Sequence, residues 1–182
     1  NNSLAYVDVN AFHKMKSLHT LILSHNHLLV TDGHIPLPNG CFNALSSSLT
    51  YLDIRHQRPK LKGHRIKKTK YPVSLCSLKR LKTLFTDYTT QFGKINGFPL
   101  CFGKLFDLKA IVISMGTEPS THLLQNMFEF AGTGNTSLQE LYLVNLNLVN
   151  IERETFKYLN HLKIFDLSNN PQIGKYEGQI PR

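Results

Sequence analysis

Cysteine, acidic residues and long apolar runs are all scarce in this chain, and each shortage excludes something. Three cysteines among 182 residues are too few and too scattered for a disulfide scaffold, and their odd number leaves at least one unpaired within the chain. No stretch approaches the roughly 18 uninterrupted apolar residues of a membrane-spanning helix, and the N-terminus carries no charged-then-apolar secretion signal. Any membrane contact is therefore expected only through segments outside this sequence. Also missing are a G-x-S-x-G elbow, an H-E-x-x-H pair, a glycine-rich phosphate loop and cysteines at metal spacing. With nothing to place a base, a nucleophile and an oxyanion donor together, neither an enzyme nor a cofactor is expected.

Acids number 12 against 21 bases, for a net charge of +9. The excess is local. Arg58, Lys60, Lys62, Arg65, Lys67, Lys68 and Lys70 stand in one stretch without an acid, which marks residues 58–70 as a basic insertion loop. If this loop folds back beside a binding face, it presents its cations to a phosphate- or sulfate-bearing ligand, a nucleic acid or another polyanion, through charge rather than base reading. If it does not, it is a solvated loop.

What the chain has in abundance is leucine at fixed intervals. In residues 138–170, Leu138, Leu141, Leu143 and Leu148 are followed by Ile151, Phe156 and Leu159, and Leu162, Phe165 and Leu167 reopen the pattern 24 residues later. The same spacing finds starts near residues 18, 49, 81, 108, 138 and 162, with Asn2, Leu4, Val7, Phe12 and Met15 as the remainder of a repeat before the first. The L-x-x-L-x-L core predicts a short strand in a parallel sheet, and a unit of this size buries its leucines only against its neighbours. The unequal repeat lengths fall between the strands. TDGHIPLPNG, the basic stretch and FGKINGFP read as irregular arcs, and THLLQNMFEF as helical. The expected fold is an α/β repeat solenoid: a curved horseshoe with a concave parallel sheet and irregular convex arcs.

Asn26 and Asn170 close their strands, where an asparagine side chain can bond backbone groups exposed by the turn. Leucine, isoleucine, phenylalanine and asparagine at ruler positions are thus structural. The variable strand positions alternate away from that core and form the natural binding surface. The fifth position reads Ile22, Asp53, Phe85, Val112, Tyr142 and Asp166, four of them apolar. Flanking columns add Tyr51, Arg55, Asp87 and Tyr88, a mixture suited to an interface core with a polar rim. The row serves either a partner or a neighbouring loop or glycan.

His25 and His56 both occupy the eighth position of neighbouring repeats and should come close enough to interact. Protonation of the pair in an acidic compartment would add positive charge beside the basic loop; two exposed histidines without a role is the alternative. His25 and His27 share a strand face but lack a third metal ligand nearby. Cys41 and Cys101 lie two repeats apart, about 10 Å by strand spacing and beyond disulfide reach. Cys76 could reach at most one of them, and buried thiols are the expected state. Asn1 and Asn135 head N-x-S/T tripeptides, the glycosylation acceptors of secreted or cell-surface proteins.

The pattern of residues 2–12, N-x-L-x-x-V-x-x-N-A-F, and the segment ETFKYLNHLKIFDLSNN at 154–170 resemble leucine-rich-repeat ectodomains of the Toll-like receptor type. The resemblance implies an extracellular or endosomal-lumenal part of a membrane receptor in innate immunity. It implies a protein or microbial macromolecular ligand, or a receptor partner, held through the concave and lateral faces. The cysteine clusters that cap such ectodomains, the membrane span and the signalling domain are absent here, so an internal or truncated portion is expected. Plant-type receptors, matrix proteins and intracellular scaffolds share the same repeat grammar and form the alternative.

Overall fold

Residues of a strand alternate between two faces, so leucines at the first, fourth and sixth positions of each repeat can fill one side while the intervening residues face the other. The computed structural model describes residues 2–28, 37–57, 73–87, 98–114, 121–123, 127–132 and 137–173. Its strands are β1 (Thr20–Ile22), β2 (Tyr51–Asp53), β3 (Thr83–Asp87), β4 (Ala110–Ser114), β5 (Thr121–Leu123), β6 (Glu140–Val144), β7 (Leu148–Ile151) and β8 (Ile164–Asp166). Six of them form a parallel sheet in the order β1-β2-β3-β4-β6-β8, and each begins two residues after a repeat-opening leucine. This architecture is compatible with a repeat solenoid.

The pairing has no slip from strand to strand. Leu21 lies beside Leu52, Leu52 beside Leu84, Leu84 beside Ile111, Ile111 beside Leu141, and Leu141 beside Phe165. One junction recurs at every step. The carbonyl of His19 accepts the amides of both Thr50 and Tyr51, at 2.8 and 3.0 Å. The carbonyls of Thr50, Lys82, Lys109 and Gln139 each accept the equivalent two amides of the next repeat. Behind the sheet, Leu49, Leu52, Leu81, Leu84, Leu108, Ile111, Ile113, Leu141 and Leu143 are fully buried. Leu18, Leu21, Leu162 and Leu167, in the outermost described repeats, are only partly so.

Asparagine closes the strand turns through both ends of its amide. Asn170 donates to the carbonyls of Leu143, Leu167 and Ser168, at 2.7, 2.8 and 3.1 Å, and accepts the amides of Leu146 and Leu148, at 2.9 and 3.2 Å. Asn26 donates to the carbonyls of Leu23 and Ser24 and accepts the amide of Leu4. Gln57 takes the same role one repeat later. It donates to the carbonyls of Leu23, Ile54 and Arg55 and accepts the amide of Leu28.

On the far side of the core, short 3-10 turns at Asn43–Leu45, Val73–Ser77, Leu100–Lys104 and Glu129–Gly132 replace regular helices. They carry buried Leu45, Leu75, Phe102 and Phe130 inward. Phe98, Phe102, Phe128 and Phe130 pack ring to ring, and Phe156 extends the stack at 5.8 Å from Phe128. The described residues of THLLQNMFEF are not the helix expected there. Thr121–Leu123 is strand β5, paired in parallel with β7 in a second, two-stranded sheet, and Glu129–Gly132 is a 3-10 turn. Pairing with the next repeat overrides the helical propensity of the segment.

The thiol expectation is also corrected. Cys76 and Cys101, on the 3-10 turns of adjacent repeats, form a disulfide with Cα atoms 5.7 Å apart. The strand spacing that separates Cys41 from Cys101 brings Cys76 within reach, and Cys41 remains a buried free thiol.

Two measurements check these features. Asn170→Ala leaves several buried backbone groups unpaired and should cost about 3 kcal/mol in urea denaturation, with Asn170→Asp only partly better because it cannot donate. Thiol titration of the denatured, unreduced protein should find one free cysteine. Cys76→Ser should destabilise by about 3 kcal/mol through loss of a loop of 25 residues in sequence separation.

Candidate functional site

The fifth-position residues form one row across the six-stranded sheet. Ile22 partners Asp53, Asp53 partners Phe85, Phe85 partners Val112, Val112 partners Tyr142, and Tyr142 partners Asp166. The leucines around them point to the opposite face, so this row is not needed to fill the core. Ile22 is 62% exposed, while Phe85, Val112 and Tyr142 are half-buried by one another and by their neighbours. The Tyr142 hydroxyl donates to Glu140 at 3.1 Å, and that carboxylate holds the phenol above its ordinary range.

The row is not uniformly apolar, because β2 and β3 build a charged cluster into it. Arg55 grips Asp53 with two parallel bonds, Nε to Oδ1 at 3.0 Å and Nη2 to Oδ2 at 2.8 Å, and its own amide donates to Oδ1 at 3.0 Å. Its guanidinium also lies 4.4 Å from the centre of the Phe85 ring, within cation–π range. Tyr51 leans on the other partner, with ring centres 5.1 Å apart. Tyr51, Asp53, Arg55 and Phe85 are thus one interlocked group. Burial pushes the Asp53 carboxyl up, but the Arg55 guanidinium and amide outweigh it and hold the group below the usual carboxylate range.

Asp87 is a different carboxylate. It is buried, 8% exposed, and its Oδ2 accepts the backbone amide of His56. Burial pushes its pKa up to about 7. The amides of His56 and Gln57 and the Arg55 charge favour ionisation but do not offset the desolvation, to which Asp53 adds repulsion.

His25 and His56 come together as their spacing implied. Their rings stack with centroids 4.2 Å apart, and both residues sit in the left-handed region at φ 55° and 58°. Asn145 and Asn169 hold the same position in their repeats with φ 57° and 58°, so the turn demands this conformation and asparagine meets it at lower cost. Among the described residues no three His, Cys, Asp or Glu side chains converge as metal ligands, and no helix is long and apolar enough to cross a membrane. Tyr88, the basic stretch from Arg58 to Lys70, Asn1 and Asn135 lie outside the described residues.

Sequence reasoning placed Asp53, Arg55 and Asp87 on this face but missed their division of labour. The i, i+2 spacing of Asp53 and Arg55 on one strand face was the available signal for the pair. Gln57 was missed as a closing amide because it is not the asparagine the pattern calls for.

Among known families, the model described as leucine rich repeat matches residues 136–179. That span contains β6, β7 and β8 and the asparagine closure by Asn170. No curated protein matches the chain.

The raised Asp87 carboxyl has a signed consequence. Between its ordinary value of 3.8 and about 7 the folded chain holds a proton that the unfolded chain has released, so stability falls as pH rises through that window. The slope contributed is at most about 1.4 kcal/mol per pH unit. In urea denaturation from pH 4.5 to 7.5, Asp87→Asn should remove this component, and the difference between wild type and variant should level off above about pH 7.

Proposed function

We propose that the chain is a non-enzymatic recognition module, part of an extracellular Toll-like-type receptor of innate immunity, that holds a protein partner or microbial macromolecule on the open face of its six-stranded sheet. A leucine-rich repeat joined to a parallel sheet suggests a protein-interaction scaffold, since such repeats generally bind proteins. The observation that carries the finer reading is the in-register row of Phe85, Val112 and Tyr142 across three adjacent strands, none of them needed by the leucine core. In this reading the sheet is the concave wall of a horseshoe, and the aromatic row with its charged neighbours is an interface core beside a polar rim.

The Cys76–Cys101 disulfide supports an oxidising compartment, where such bonds persist. The acceptor tripeptides at Asn1 and Asn135 point the same way. The Toll-like assignment rests on the repeat grammar at residues 2–12 and 154–170.

A photo-crosslinking residue replacing Tyr142, in chain secreted from animal cells, tests the reading against the same residue at Phe106, which is 57% exposed and lies between strands. A discrete extracellular protein adduct is expected from position 142 and not from 106. Val112→Arg should reduce that adduct at least about 10-fold, the cost of burying a charge in an interface core, with an unchanged thermal melt. Equal labelling from both positions, or an adduct indifferent to the Val112 change, would overturn the proposal.

A further inference from the structure

We infer that the C-terminal ends of β3 and β4 form a recognition site for a guanidinium group, an arginine side chain presented by the protein partner of the sheet face. This rests on the functional reading above and adds the chemistry of one contact.

Asp87 and Ser114 are register partners at the ends of the two strands, two residues beyond the Phe85–Val112 pair. Strand alternation therefore puts them on the same face as that pair. Both contribute a buried polar atom that has no hydrogen-bond partner among the described residues, Asp87 Oδ1 and Ser114 Oγ. Buried polar atoms left unpaired are rare and costly. Two of them on partnered positions, on strands about 5 Å apart, define one acceptor-rich point at the end of the aromatic row.

Charge identifies what would complete it. Among the described residues Asp53 and Asp87 face a single guanidinium, and Arg55 is committed to Asp53 by two bonds. With Asp87 ionised, its buried charge has no ion-pair partner among the described residues. Oδ2 is already turned to the backbone of His56, so Oδ1 is the free acceptor. A neutral amide would not compensate the buried charge. A guanidinium would, and its planar fork of donors can address Oδ1 and Oγ together. Phe85 already carries one guanidinium on its ring, which shows that the local surface accepts the group.

Among the described residues the titratable groups nearest the site are Asp53 and Arg55 of β2 and its extension, with the His25–His56 stack beyond them. An incoming cation favours the ionised carboxyl. Because burial holds Asp87 protonated up to about 7, binding below that pH releases a proton, and affinity rises with pH until the carboxyl is ionised.

The test uses N-acetyl-arginine methylamide as probe and the citrulline analogue as its neutral isostere, added to the whole chain at constant ionic strength. The Asp87 carboxyl is followed by carbon NMR and assigned with Asp87→Asn. The arginine probe should lower the Asp87 midpoint by one pH unit or more in a saturable manner, with shifts confined to Asp87, Ser114 and Phe85. Ser114→Ala should weaken binding about 5- to 10-fold, and the citrulline probe should do nothing. A carboxyl already ionised well below pH 7 without probe, an equal response to citrulline, or shifts that persist in Asp87→Asn would overturn the inference. The probe needs no protein partner. Its failure therefore retires the arginine site alone, whereas the crosslinking result decides the binding face.

Discussion

Each repeat carries one backbone carbonyl that accepts two amides from the next, and the rest of the molecule depends on that junction. It recurs from His19 to Gln139 and allows the strands only one register. Once register is fixed at zero offset, every side chain position is copied sideways. Leucines stack on leucines to make the core, and the variable positions become rows without any selection for contact between them. Differences in repeat length must then be absorbed between the strands, where the backbone uses 3-10 turns, a second small sheet and a disulfide in place of one repeated design.

The row on the open face inherits its order from the same constraint and its chemistry from individual residues. Asp53 and Arg55 neutralise one another in a bidentate pair next to Phe85, so a stretch that looks ionic in sequence is largely satisfied internally. Asp87, two residues beyond Phe85, has backbone amides but no ion-pair partner among the described residues. The two carboxylates therefore leave their ordinary pKa in opposite directions, although they stand on adjacent strands and meet much the same surroundings. What separates them is whether a counter-charge has been brought inside with the acid.

Much of this was legible in the chain because periodicity is local information. The leucine positions, the strand order and the complete fifth-position row follow from spacing alone, as does the approach of His25 to His56. What was not legible depends on the arcs. Whether Cys76 finds Cys101 is decided by the path of the connecting backbone, not by strand spacing. Thr121–Leu123 reads as helical in isolation and becomes a strand because Leu148–Ile151 offers it a partner. Gln57 shows a third limit. A longer amide can satisfy the same carbonyls as asparagine, so a role defined by hydrogen bonds can be filled by a residue that the pattern does not name. The burial of Asp87 was hidden for a related reason, since a polar residue at a surface-facing position gives no local sign of how deeply its neighbours cover it.

The closing amides have a direction. Asn26 serves an amide of the segment before it, Gln57 serves Leu28 and Leu23, and Asn170 serves Leu143, Leu146 and Leu148. In each case the later repeat satisfies the earlier one. Removing a repeat strands the closed polar groups of its N-terminal neighbour, while its C-terminal neighbour loses the carbonyl that accepted its two junction amides but keeps the closure it makes for itself. Neighbouring repeats are consequently tied in both senses but by different groups, side-chain amides reaching back and backbone amides drawing on the carbonyl before them, so unravelling from either end gives up hydrogen bonds at every step.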